Sequence, residues 1–570
     1  MRLPFPRKPK PADSGATDFA INGARKSEGG RARSRVLIAM LCFTGIYGTI
    51  GGRLAYYGMQ EPGFTDARAA VETAARPDLV DRNGETLATD IKTASLYAEP
   101  KRIIDADEAL ELLSSVLPDL DQEQTYRKLK SGLGFVWLKR QLTPKQQGQI
   151  MALGLPGVGF RTEKQRFYPG GANASHIVGL VDVDNRGIAG MEKYVDQNGL
   201  SDLREAGLAI EKDLAPVKLS IDSRVQHVLH DELSQAMARY RAIGAGAVVL
   251  NVHTGEVVAM ASLPDYDPNN PYNAMEKERL NRMSAGVYEM GSTFKAFTTA
   301  MALDSGKVTM NSKFDARRPI QIARFTINDF HGKKRILSVP EVFIYSSNIG
   351  SAKEADVVGI EGHREFLHRM GLLSKMETEL PEVAKPTEPK VWKKLNSITI
   401  SFGHGVSTTP LQTAAAAAAL MNGGMLIPPT FLPRGKAEAE ALAVRAVKPE
   451  TSDLMRYLFR LNVEKGSGKR AEVPGYIVGG KTGTAEKVVR GRYSTDKRFN
   501  AFLGAFPMTK PEYVVLVVLD EPKAEAGKGG TTAGSNAAPT VSAIVRRTAV
   551  FLGVKPDFGP DAGAMMVSFP

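Results

Sequence analysis

A chain of 570 residues is longer than one hydrophobic core serves, so two or more domains are expected. Its 43% hydrophobic and 24% charged residues exclude a disordered or low-complexity polypeptide. The net charge of +12 is uneven: residues 1–35 hold nine Lys/Arg against three Asp/Glu, and the rest is spread too thinly for a nucleic-acid face.

Directly after this basic tail, Val36 to Gly52 contains no charged residue, and Leu54 to Met59 extends the apolar run. The length suits a single membrane span, and the flanking cations predict a cytoplasmic N-terminus. A cleaved signal peptide is disfavoured by the long leader and by the lack of a small-x-small site. The one cysteine, Cys42, lies in this stretch, so the rest of the chain has no thiol to oxidise outside the cytoplasm.

Next comes "RPDLVDRNGETLATD" (Arg76 to Asp90), which reads as a strand pair turning at Asn83-Gly84. An acid-rich helical stretch follows around Asp105 to Leu120, then a Gly- and turn-rich region ending near Asp196, as expected of a pedestal. Near Pro216 the pattern changes to a strand and a helix. "GAGAVVLNVHTGEVVAMAS" then reads as a hairpin joined at His253-Thr254-Gly255. Val249 stands where a dinucleotide fingerprint needs its third glycine, which excludes a Rossmann reading. "GSGK" at Gly466 to Lys469 fails as a P-loop, with Val463 at the first glycine and Arg470 at the Ser/Thr. Residues 290–425 are mostly helical. The chain then returns to strands and ends in a helix from Pro539 to Leu552. Strands at both ends of a helical centre predict an α+β fold: one antiparallel sheet of distant segments, packed by helices. No internal repeat is present.

"EMGSTFKAFTTAMAL" (Glu289 to Leu303) reads as the start of a buried helix that carries Lys295 on an apolar face. Residues three apart are neighbours on a helix, so Ser292 and Lys295 can touch. A desolvated lysine has a depressed pKa and can take a serine proton. Alone the pattern is weak: chance supplies about two S-x-x-K matches in such a chain. A second match, Ser494…Lys497, lies in a polar stretch that reads as a surface loop. Ser346-Ser347-Asn348 follows Ser292 by 54 residues, between apolar helical segments. Lys481-Thr482-Gly483-Thr484 follows on an apolar strand. Singly, Ser346 and Asn348 read as helix caps and Lys481 as a solvated edge charge. In this order they read as a serine-acyltransfer site. Ser292 sits where backbone amides stabilise an oxyanion, and Ser346 and Asn348 can relay protons and hold a substrate amide. Lys481, Thr482 and Thr484 offer an edge for a peptide carboxylate, and Gly483 lets a substrate strand approach.

With these motifs on the page, the chain resembles a class B penicillin-binding protein, a D,D-transpeptidase that cross-links peptidoglycan stem peptides. "RPDLVDRNGETLA" resembles the family's pedestal motif, with Pro77 in place of the usual Gly. "RFYPGGANASHIVG", "SFGHGVSTTPLQTA" and "VGGKTGTAEKV" resemble three further family segments. The short link from Tyr168-Pro169 to Glu192 and the "GSTFKAFTTAMAL" context look most like the division-specific FtsI type. The resemblance implies a basic cytoplasmic tail (1–35), a transmembrane anchor (36–58) and an elongated β-rich pedestal (59–215). A penicillin-binding/β-lactamase-like transpeptidase domain (216–553) and a tail (554–570) complete it, with the catalytic domain periplasmic and the anchor in the inner membrane. It implies attack by Ser292 on a D-Ala-D-Ala amide during septal wall synthesis, an oxyanion hole from the Ser292 and Thr484 amides, and covalent inhibition by penicillins. It implies no metal, cofactor or nucleic acid. Partners would be stem peptides on lipid II-derived glycan, the membrane, a multi-span glycosyltransferase and other division proteins. The alternatives are the elongation paralogue, a membrane β-lactam sensor or β-lactamase-like acyl-enzyme, and a non-catalytic division scaffold.

Overall fold

A computed structural model describes residues 37–38, 40–53, 76–200, 214–322, 325–489 and 491–558. The chain divides into two units, Met1–Glu72 and Thr73–Pro570. In the first, residues 40–53 are helical, with Leu41, Phe43, Ile46 and Ile50 exposed. Among the described residues no helix is long and apolar enough to cross a membrane. Val36, Ala39 and residues 54–58 of the expected anchor lie outside the described residues, as do the basic tail and residues 559–570.

The second unit begins with a sheet whose centre is the long strand Thr86–Ala98, paired antiparallel with Leu79–Val80, Val136–Leu142 and Val158–Phe167. The expected Asn83-Gly84 turn is present. Asp81 Oδ1 accepts from the backbone N–H of Asn83 (2.7 Å) and Glu85 (2.9 Å), and Gly84 takes the positive φ the turn demands. Asp105 caps the helix Ala106–Val116, which closes a core of its own with Leu96, Leu117, Leu129 and Ile150. The near end of the same region has no separate core. Leu79, Tyr168, Ile177, Val178 and Met191 pack in one cluster with Val248 and Leu250 of the following domain. Strand Val217–Lys218 also pairs in parallel with Leu79–Val80.

The second sheet gathers strands from either side of the helical centre, in the order Gly479–Val489, Arg492–Phe506, Tyr513–Asp520, Gly244–Asn251, Val257–Leu263, all antiparallel. Every residue of Tyr513–Asp520 is buried because both faces are covered. Val515, Val517 and Leu519 face a cluster with the helices Ser223–Tyr240 and Ala537–Thr548. Val514, Leu516 and Val518 face the cluster of the helical centre. Each such side chain removed from water contributes about 1.5–3 kcal/mol. The Ala-rich helix Pro410–Met421 is buried at every position, its small side chains permitting close packing.

Two expectations need correction. Ser494 does not lie in a surface loop but on the strand Arg492–Phe506, which continues the hairpin past the sheet through the pairs Val488↔Tyr493 and Val489↔Arg492. Cross-strand hydrogen bonding overrides the polar composition there. The last helix begins and ends earlier than its apolar pattern suggests, at Ala537–Thr548, because the Asn536 side chain accepts from Ala537 N and caps it.

Candidate active site

Ser292 lies in a 3₁₀ turn, Gly291–Phe294, that runs into the helix Lys295–Asp304. Every residue of that helix is buried, and Lys295 itself is 1% exposed. The geometry differs from a simple Ser292–Lys295 contact. Lys295 Nζ donates to Ser346 O at 2.6 Å, to Asn348 Oδ1 at 2.7 Å and to Ser346 Oγ at 3.1 Å. The fully buried Lys481 donates to the same Ser346 Oγ at 2.9 Å from the edge strand Gly479–Val489. Ser346 thus stands between two amines, 51 and 135 residues away along the chain.

Local structure explains how Ser346 is held there. It ends the helix Val339–Tyr345 in the left-handed region (φ 55, ψ 46), a conformation that favours Gly or Asn. Ser347 caps the next helix, Asn348–Val358, by accepting from Gly350 N, and its own hydroxyl donates to Asp329 Oδ2 at 2.8 Å. The strain at Ser346 is retained at the residue that both lysines contact, as at functional sites generally.

Burial sets the electrostatics. It pulls the Lys295 amine down to about 7, against Asp329 and Glu354, whose charges favour the ammonium. Burial also pulls Lys481 well below its ordinary value, and the neighbouring Lys295 adds to the effect. Two cations on one hydroxyl are costly, so a neutral amine at Ser346 is favoured. A group in that state takes a serine proton at neutral pH.

The edge strand and the Ser292 turn meet backbone to backbone. A Cβ at Gly483 would lie 2.5 Å from Met290 O, and one at Gly291 would lie 2.9 Å from Thr484 O. Gly483 is therefore required by the turn that carries Ser292, a different reason from the open strand edge expected for it. Gly403 of "SFGHG" supports the turn from behind, since a Cβ there would meet Gly291 O at 2.0 Å. Thr482 Oγ1 shares a 2.6 Å hydrogen bond with Ser467 Oγ, and Thr484 Oγ1 accepts from Ala533 N at 3.1 Å. Ser467 belongs to the "GSGK" segment that fails as a P-loop; its role had no local sequence signal. Asp329 and Glu354 were also invisible in sequence, because only packing brings them to Lys295.

Comparison with known proteins gives the family. Residues 245–546 match the penicillin-binding protein transpeptidase domain, and residues 71–204 match the penicillin-binding protein dimerisation domain. The chain is 41% identical to the probable peptidoglycan D,D-transpeptidase FtsI of Caulobacter vibrioides, covering 84% of this chain and 82% of that one. It is 33% identical to the probable peptidoglycan D,D-transpeptidase PenA of Neisseria gonorrhoeae (91% and 92% covered). It is 30% identical to the peptidoglycan D,D-transpeptidase FtsI of Escherichia coli K12 (88% and 87% covered). The chain belongs to the class B penicillin-binding proteins, joining a dimerisation domain to a transpeptidase domain of α+β architecture.

Proposed function

We propose that this protein is a peptidoglycan D,D-transpeptidase that cross-links stem peptides during septal wall synthesis through an acyl-enzyme on Ser292. The observation that carries this reading is the pair of buried lysines meeting on Ser346 Oγ beside the Ser292 turn. Lys295 takes the Ser292 proton as the hydroxyl attacks the D-Ala-D-Ala amide. Ser346, between Lys295 and Lys481, passes a proton to the leaving D-Ala amine, and Asn348 holds Lys295 and the substrate amide. The Ser292 and Thr484 amides receive the oxyanion, which their close backbones suit. Thr482, Gly483 and Thr484 line the edge where the donor carboxylate binds. An amine from a neighbouring stem peptide then resolves the ester. Penicillins enter as donors and leave the ester standing. The peptidoglycan D,D-transpeptidases to which the chain is similar support the transpeptidase role.

The same reading assigns residues 36–58 to a single-pass inner-membrane anchor, preceded by the cytoplasmic tail 1–35 and followed by the periplasmic pedestal 59–215. Residues 216–553 form the transpeptidase domain and 554–570 a tail. The uncharged run and the exposed apolar side chains of residues 40–53 support the anchor. A multi-span glycosyltransferase and other division proteins are the expected partners.

The test is covalent labelling with fluorescent penicillin, with the adduct mapped by mass spectrometry. The label falls on Ser292, persists for many minutes, and is lost in Ser292→Ala with acylation reduced about ten-thousandfold or more. An adduct on Ser494, or rapid turnover of the label, would overturn the assignment.

A further inference from the structure

Two polar rungs join the helix Lys295–Asp304 to the helix Asn348–Val358. In the first, Lys295 Nζ donates to Asn348 Oδ1 at 2.7 Å; in the second, Thr299 Oγ1 donates to Glu354 Oε2 at 3.0 Å. Residues four apart on a helix are separated by about 6 Å along its axis. A carboxyl and an amine therefore share one apolar interface, about a turn apart. Lys295, Thr299 and Glu354 are 1%, 0% and 0% exposed. Glu354 Oε1 has no hydrogen-bond partner among the described residues, and neither has the hydroxyl of Ser351 three positions before it.

A buried carboxylate with one hydrogen bond is poorly supported, and its acid form is favoured. Burial pushes Glu354 up to about 8, opposed by Thr299 and by the charge of Lys295. Of the other titratable groups near the pair, burial keeps the His404 imidazole neutral, at about 4, and the Lys295 charge adds to the effect. Lys481 meets Lys295 at Ser346 Oγ, and Asp329 stands at the Ser347 cap. From the helix Lys394–Ser401, Ser397 Oγ is engaged by His363 Nδ1 at 2.9 Å, and burial keeps that imidazole neutral, at about 4. Lys394 is exposed and paired with Asp356, and Lys353 Nζ donates to Asp315 O.

We propose that Glu354 is a positioning residue for the base: its carboxyl and the Lys295 amine hold one proton between them, so that Glu354 decides when Lys295 is free to deprotonate Ser292. With the proton on Glu354 both groups are neutral and the amine can act. With the proton on Lys295 the two carry opposite buried charges about a turn apart, and the base is occupied. The pair titrates as a unit. This inference rests on the Ser292 acyl-enzyme reading above.

The test compares the pH dependence of fluorescent-penicillin acylation in the full chain and in Glu354→Gln, which keeps an acceptor for Thr299 and removes the charge. Without the carboxylate nothing at this position favours the ammonium, so the acid limb of the profile moves to lower pH. Relative to each enzyme's own plateau, acylation near pH 6 rises by about threefold or more. Thr299→Val removes the hydrogen bond that favours the carboxylate and moves the limb the same way by less. It serves alone if Glu354→Gln does not fold. A limb that stays in place in a folded variant, or moves to higher pH, overturns the proposal. If the unaltered chain is not acylated at any pH, the reading of the function fails instead.

Discussion

The surroundings of Arg76 and Arg166 and those of Lys295 and Lys481 all bury a basic side chain, and they treat the charge in opposite ways. In the pedestal, Arg76 meets Glu192 at 2.8 Å and Asp196 at 2.9 Å, and Arg166 meets Glu192 at 2.6 Å and Asp90 at 3.2 Å. Arg76 Nη2 and Arg166 Nη2 also donate to the carbonyls of Glu192 and Pro77. Burial pulls Arg166 down, but Glu192 and Asp90 prevail and raise it, so the charge is fixed. In the catalytic domain, Lys295 and Lys481 donate only to neutral oxygens, and both amines are pulled down. Paired buried charge holds segments together; unpaired buried charge yields a base. The pedestal network joins residues from Arg76 to Asp196, which explains how a Gly- and turn-rich sequence keeps a defined shape without many long elements.

The sharpest way to break this contrast is to remove the unpaired amine. Lys295→Met lowers the acylation rate by about hundredfold to ten-thousandfold while the far-UV spectrum stays unchanged, because the loss is of proton transfer and not of the fold. A spectrum that collapses would place Lys295 with the structural cations. The reverse experiment is Glu192→Gln. It leaves Arg76 and Arg166 buried with half their partners and costs about 3–5 kcal/mol in denaturant unfolding. Acylation per folded molecule is unaltered. A pH titration gives the smallest effect. A base whose amine is pulled down to about 7 is protonated below that value. Acylation falls about tenfold for each pH unit below it and levels off above. A profile that rises only toward pH 10 would mean that burial does not depress Lys295.

Much of the candidate site was legible because its residues stand in local patterns. The order Ser292–Lys295, Ser346–Asn348, Lys481–Thr484 needs no structure to read, and the hairpin turns at Asn83-Gly84 and His253-Thr254-Gly255 follow from backbone preferences. Ser494…Lys497 shows the limit: the same motif in a polar stretch proved to be strand, set by pairing with a neighbour and not by its composition.

The sequence by itself determined which side chains were candidates for the site, where the chain turns and that strands on either side of the helical centre belong to one sheet, since propensity and hydrophobic period act within a few residues. Only the tertiary structure decided that Lys295 reaches Ser346 and Asn348, that Gly483 serves the Ser292 turn, and that Glu354 lies in the helix interface near Lys295. Burial and charge balance arise between segments more than 50 residues apart, and they exist only once those segments have packed.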